Sequence, residues 1–264
     1  MKALLKGATA LGVVAAALTT PASANHSWGG YHWARISNPF TLKLGDNVDS
    51  NWDSYLATTS TDWTASFVLN TQVVAGGTKP RSCRATTGRV EVCTAAYGST
   101  GWLGIASISI TSGNHIVSGT VKNNDTYFNT AKYNTPAWRN LVMCQEVGHT
   151  LGLGHNDENF DNTPTGTCMD YSNDPNPNQH PNQHDYDQLV SIYSHTDSST
   201  TVGAGVPTGT GAEIGNSPKS WGRPVAFLRD GRPHQYVRLD GPGRITVTHV
   251  FWVPGMGPQH SHVD

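Results

Sequence analysis

Cys144-Gln145-Glu146-Val147-Gly148-His149-Thr150-Leu151-Gly152-Leu153-Gly154-His155-Asn156-Asp157 is the stretch on which the reading of this 264-residue chain turns. Residues four apart on a helix share a face, so Gln145 and His149 form such a pair, with Glu146 beside them. Gly152 can take positive φ, a common way for a helix to end and its chain to turn back. His155 then arrives three residues later, from outside the helix. Two imidazoles and a third group thereby converge on one point with a carboxylate close by. That is the arrangement of a catalytic zinc site with an open fourth position.

The spacing resembles the metzincin metalloprotease motif, H-E-x-x-H-x-x-G-x-x-H followed downstream by a Met-turn. Here the run reads Q-E-V-G-H-T-L-G-L-G-H, and Cys168-Met169-Asp170-Tyr171 supplies the Met-turn candidate. Glu146, His149, Gly152, His155 and Met169 match, while Gln145 stands where the family has its first zinc-binding histidine. The specific motifs cover 145–171, and the matrixin-like organisation extends over 25–197. The resemblance implies an α+β, zincin-like catalytic domain: a twisted mixed sheet, a zinc helix, a Met-turn and a C-terminal helix. It implies zinc on His149 and His155, Glu146 as general base, and Met169 as an apolar floor beneath the metal.

Three outcomes stand for Gln145. Its neutral amide oxygen ligates zinc weakly, a water replaces it, or the site is degenerate. Two stand for Tyr171. In the astacin and serralysin branches a tyrosine at this place binds zinc and steadies the oxyanion; otherwise it is a buried ring under the site. The implied stacking of helix and Met-turn also brings Cys144 within reach of Cys168 for a disulfide. Asp157, Glu158, Asp161 and Asp170 gather oxygen ligands nearby, so calcium is a further candidate, although no loop here has a calcium-binding pattern.

The N-terminus reads as a secretory signal over 1–24. Lys2 and Lys6 precede a short apolar run, and Ala22-Ser23-Ala24 fits the small-x-small cleavage rule. Without those two lysines, 15 basic residues face 19 acidic ones. Basic clusters are absent, which argues against a nucleic-acid partner. No later segment is apolar enough to span a bilayer. The four cysteines suit an oxidising, extracellular setting.

Along the chain, 31–35 reads as a strand, 49–56 as the start of a helix, and 66–75 as a strand. Residues 82–93 read as a hairpin turning at Thr87-Gly88, with Cys83 and Cys93 opposite each other and disulfide-bonded. The rival for Pro80-Arg81-Ser82-Cys83 is a cysteine switch like that of matrixin propeptides. Leu103–Ile110 and His115–Val121 are strands. In the metzincin resemblance one of them is the edge on which an extended substrate pairs. Thr135 caps the zinc helix with Pro136 at its first position, and a second helix over 183–194 is capped by Asn182. Residues 198–218 read as a linker and 219–264 as a small β-rich appendage with a frayed tail.

The reading is a secreted zinc endopeptidase acting on peptide or protein substrates. Its rivals are a catalytically degenerate relative that binds peptides or an extracellular surface, and a binding module carried by the C-terminal appendage. Export with cleavage after Ala24 predicts that N-terminal sequencing of secreted material reads Asn-His-Ser; retention of 1–24 overturns the signal reading.

Overall fold

The structure, a computed structural model, describes residues 25–203 and 213–257. The expected signal segment 1–24, the middle of the expected linker at 204–212, and the tail 258–264 with His260 and His262 lie outside the described residues. In chain order the elements are β1 (His32–Trp33), β2 (Phe40–Asn47), α1 (Asp53–Thr64), β3 (Leu69–Ala75), β4 (Val90–Ala95), β5 (Trp102–Thr111) and β6 (His115–Asn124). There follow α2 (Asp125–Phe128), α3 (Pro136–Thr150), α4 (Gln183–Ile192), β7 (Arg223–Phe227), β8 (Pro233–Gly241) and β9 (Arg244–Trp252).

The strands form one nine-stranded mixed sheet in the order β3-β2-β4-β6-β5-β9-β8-β7, with β1 also paired to β6. The pairings of β1, β2, β3, β4 and β6 with one another are parallel. From β5 onward every pairing is antiparallel. The parallel strands are joined by crossovers, and the helices α1 and α3 supply the face against which the apolar residues of β3, β5 and β6 close.

Helix α3 begins where the sequence says it does: Pro136 occupies the first turn and the Thr135 hydroxyl accepts from Trp138 N at 3.3 Å. Nearly all of α3 is buried, because sheet, α1 and the 168–171 turn surround it. Two indoles fasten it by their single donors. Trp63 Nε1 donates to Cys144 O at 3.2 Å and Trp33 Nε1 to Thr150 O at 2.8 Å. Helix α4 carries a full capping box at Asn182 and Asp185. Among the described residues no helix is long and apolar enough to cross a membrane.

Both expected disulfides are present, Cys83–Cys93 and Cys144–Cys168. The hairpin reading around the first needs correction. Only 90–95 is a strand, and Cys83 sits in a turn at φ 45°, reaching β4 from a loop. The cysteine-switch alternative goes with it, since Cys83 is disulfide-bonded. Strand β2, whose Phe40, Leu42 and Leu44 alternate into the core, was not anticipated.

Two further corrections concern the C-terminal part. The expected β-appendage is no separate unit: β9 pairs with β5 from Trp102↔Trp252 to Ile110↔Ile245 and continues the main sheet. Consequently neither β5 nor β6 is the free edge expected for substrate, because each has a strand on both sides. The described ends of the supposed linker are also tied down. Thr201 N donates to Ala34 O at 2.9 Å and Gly203 N to Gly88 O at 2.9 Å, while Ile214 and Trp221 are buried.

Lys122, buried in β6, anchors the start of this C-terminal part by donating to Ile214 O and to Asn216 Oδ1 at 3.0 Å. Burial lowers its pKa to about 8 from 10.5, against a smaller opposing pull from Glu213. Between those values the unfolded chain keeps a proton that the folded chain has lost. The lysine's contribution to stability is therefore fully present above the unfolded value and is lost as pH falls through about 8. Denaturant unfolding at neutral pH and at pH 10.5 is expected to show wild type gaining on Lys122→Met by about 3 kcal/mol. A gap that does not change with pH rules this out.

Candidate metal centre

The end of α3 sets the geometry. Gly152 N donates to His149 O at 3.0 Å and Leu153 N to Gly148 O at 3.4 Å, the paired bonds of a Schellman stop. Gly152 sits at φ 98°, and a Cβ there would lie 2.2 Å from Tyr31 O, so only glycine lets the N-terminal segment pass this close. The turn sends the chain back past the helix, and His155 Nε2 comes to 3.0 Å from His149 Nε2. His149 Nδ1–H donates to Leu153 O at 2.8 Å, which leaves the Nε2 lone pair facing His155.

The third imidazole is His249, from the middle of β9. Ligand atoms of His149, His155 and His249 all lie within 4.8 Å of one another. Its ring stacks on His149 with centroids 4.1 Å apart and planes 6° apart. Trp28 packs against His249 on one edge at 4.3 Å and against His149 at 5.6 Å. Sequence reasoning missed His249. It lies in an alternating strand with no motif around it, and only the β5–β9 register, which sets it opposite Ala106, brings it here.

Gln145, expected to offer its amide oxygen to the metal, has its amide nitrogen engaged by the 168–171 turn. Its Nε2 donates to Cys168 O at 2.7 Å and to Asp170 O at 3.2 Å, pinning the 168–171 turn to the helix. The same turn is stitched to the segment after His155 by Asn156 N to Met169 O at 2.7 Å and Tyr171 N to Asp157 O at 3.1 Å. Met169 lies under the helix, its sulfur against Gly148, where a Cβ would come within 2.5 Å of it. Tyr171 stacks on His155 at 4.0 Å, and its hydroxyl donates to Val250 O at 3.1 Å. The hydroxyl is thereby engaged by the backbone of β9.

Glu146 is fully buried, and neither carboxyl oxygen has a hydrogen-bond partner among the described residues. Gly104 of β5 makes room for it, since a Cβ there would fall 2.6 Å from Oε1. Burial pushes the Glu146 carboxyl well above the usual carboxylate range. Burial also lowers His149 to about 3, partly opposed by its bond to Leu153, and holds His155 and His249 well below the ordinary imidazole value. Neutral imidazoles with lone pairs converging, beside an unpartnered carboxyl, form a donor set that suits zinc. His155 Nδ1 and both His249 ring nitrogens likewise lack hydrogen-bond partners.

Around this core, Glu158 Oε1 lies 3.5 Å from His155 Nδ1 and 3.5 Å from His234 Nε2 on β8. The oxygen cluster considered for calcium does not assemble. Asp157 turns its carboxylate to Asn159 N at 2.6 Å, and Asp170 accepts from Thr165 N at 2.9 Å and Asn178 Nδ2 at 2.7 Å. Asp157, Glu158, Asp161 and Asp170 form no common metal-sized group among the described residues.

No family model matches this chain, and no curated protein matches it. Among solved structures, the crystal structure of myroilysin aligns with a TM-score of 0.35 and 12% identity, over 61% of this chain and 86% of that one. A likeness of that size carries no argument about function.

The hydrogen bonds of Gln145 carry a prediction. Gln145→Ala leaves two buried carbonyls without their donor and is expected to cost about 1–3 kcal/mol in denaturant unfolding. Loss of bound zinc with stability unchanged would instead identify Gln145 as a ligand.

Proposed function

We propose that the chain is a secreted, zinc-dependent endopeptidase held in a closed, resting form by its own C-terminal strand. One observation carries the reading: His149, His155 and His249 converge beside the unpartnered carboxyl of Glu146. The metzincin-like spacing of 145–171 supports it from the sequence side. The two disulfides fit an oxidising compartment.

Zinc held by His149 and His155, with His249 as a third donor in the closed form, would supply a Lewis acid for the scissile carbonyl and a positive charge that favours the ionised form of Glu146. The work of the chain is then acid–base. The Glu146 carboxylate takes a proton from the attacking water and returns it to the leaving amine. Gly104 leaves the carboxyl its space. The Tyr171 ring packs against His155, and Trp28 packs against His149 and, in the closed form, against His249.

The closed form follows from the sheet. Strand β5 is antiparallel to β6 and carries β9 along its other side, as an extended peptide would lie when added to that edge. Strand β9 thus fills the position proposed for substrate and brings His249 with it. Displacing it frees the edge of β5 and one position at the metal in a single movement.

The experiment is zinc content and peptide-library cleavage by the full chain, His249→Ala and Glu146→Ala. His249→Ala is expected to weaken zinc binding at least about tenfold, yet to raise cleavage at saturating zinc. Glu146→Ala is expected to keep zinc and abolish turnover. If His249→Ala cleaves more slowly at saturating zinc, His249 is an ordinary ligand and the closed form falls. A second reading, a relative that binds metal without turnover, is favoured by the complete burial of Glu146. Absence of cleavage by both zinc-loaded wild type and His249→Ala establishes that reading in place of the enzyme.

A further inference from the structure

A second histidine cluster lies away from the centre just described and shares no residue with it. Strands β1 and β6 run parallel with His32 directly opposite His115, so their imidazoles stand side by side with ring centroids 5.0 Å apart. The chain leaving α4 then brings His195 and Asp197 onto the same spot. Ligand atoms of His32, His195 and Asp197 lie within 4.8 Å of one another. Four contacts define the cluster. Asp197 Oδ1 is 3.2 Å from His115 Nε2, 3.6 Å from His32 Nε2 and 3.8 Å from His195 Nε2, and the last two nitrogens are 3.3 Å apart.

We infer that His32, His195 and Asp197 form a second binding site for a zinc-class divalent cation, with His115 beside it on Asp197, one that ties β1 to the chain after α4. The first argument is metric. A tetrahedral zinc with bonds of about 2.0–2.1 Å sets its ligand atoms roughly 3.3–3.4 Å apart. The distances among His32, His195 and Asp197, 3.3 to 3.8 Å, lie at or just above that value. The second concerns tautomers. His32 Nδ1–H donates to the Gly30 carbonyl at 3.0 Å, so its Nε2 presents a lone pair to the cluster, the outer-shell arrangement that orients metal-binding histidines.

The third argument concerns charge. Asp197 already has a cation: its Oδ2 accepts from Arg35 N at 3.1 Å and from Arg35 Nη1 at 3.0 Å. That pairing leaves Oδ1 directed at the histidines. A carboxylate neutralised by a guanidinium has no need of further imidazoles, whereas a cation bound by nitrogen has use for them. Two imidazoles and one oxygen favour zinc over calcium or magnesium. Side-chain exposure rises from 9% at His32 through 25% at His115 to 49% at His195, so an ion has a route in from solvent.

The role follows from the segments joined. His32 belongs to the short β1, and His195 with Asp197 follow α4. Arg35 also donates to the His195 carbonyl, so the tail of α4 is already laid against β1. A bound ion would fasten that junction as a structural staple.

The test uses the full chain, stripped of metal with a chelator and titrated with zinc alone. Wild type and His155→Ala are compared with His32→Ala/His195→Ala. Removing two ligands is expected to weaken one zinc-binding event at least about 100-fold and to remove its share of the zinc-induced rise in Tm. His155→Ala should keep that event, and cobalt loaded into it should show the strong visible absorption of tetrahedral coordination. Should the double variant fail to fold, His195→Gln, at the most exposed ligand, takes its place. The inference is overturned if the ligand variants bind zinc and shift Tm as wild type does, if zinc binds His155→Ala only at millimolar concentration, or if its cobalt form lacks the tetrahedral spectrum.

Discussion

The Tyr31 carbonyl comes to 2.2 Å from where a Cβ of Gly152 would stand, an approach that no other residue type would permit. Several features depend on it. It ends α3, turns the chain so that His155 faces His149, and lets the N-terminal segment run beside the helix end, where Trp28 N bonds to Gly152 O at 2.8 Å. Trp28 in turn packs against His249 and His149. One glycine therefore places a helix terminus, two imidazoles and the indole that lies against the third.

Around that turn the protein concentrates polar groups that burial alone would penalise. Glu146, His149, His155 and His249 are dry, close together and only partly hydrogen-bonded. Each such group costs roughly 1–3 kcal/mol when left without a partner. An apolar core of the same shape would be more stable, so the cluster is explained by what it holds rather than by what it contributes to folding. The supporting shell, by contrast, is well satisfied. Gln145, Asn156 and Tyr171 all spend their donors on backbone carbonyls of the 168–171 turn, the loop beside it or β9.

Legibility in the sequence followed the range of the interactions. The cap at Thr135-Pro136, the stop at Gly152, the capped α4 and the apolar runs of β5 and β6 are local, and they were read correctly. Cys144 and Cys168 were paired through the family resemblance, and the structure joins them. What escaped was set by distant chain. His249 is ordinary in its own strand and significant only through the register of β9 on β5. The 219–254 strands were recognised as strands but not as members of the main sheet, because nothing in a strand's own residues names its partner. The amide nitrogen of Gln145 serves two carbonyls that no motif records.

The order of the sheet has a bearing on how the protein assembles. The parallel strands and α3 meet through contacts among the first 150 or so residues, but the third imidazole arrives from a strand whose pairing with β5 spans well over a hundred residues of chain. Contacts that distant form late, since the loop they close must first be held in place. During synthesis His149 and His155 can therefore be in position while β5 still has a bare edge and the cluster is incomplete. Nascent protein passes through an interval in which the centre is open, and its last antiparallel strand ends that interval by closing the sheet.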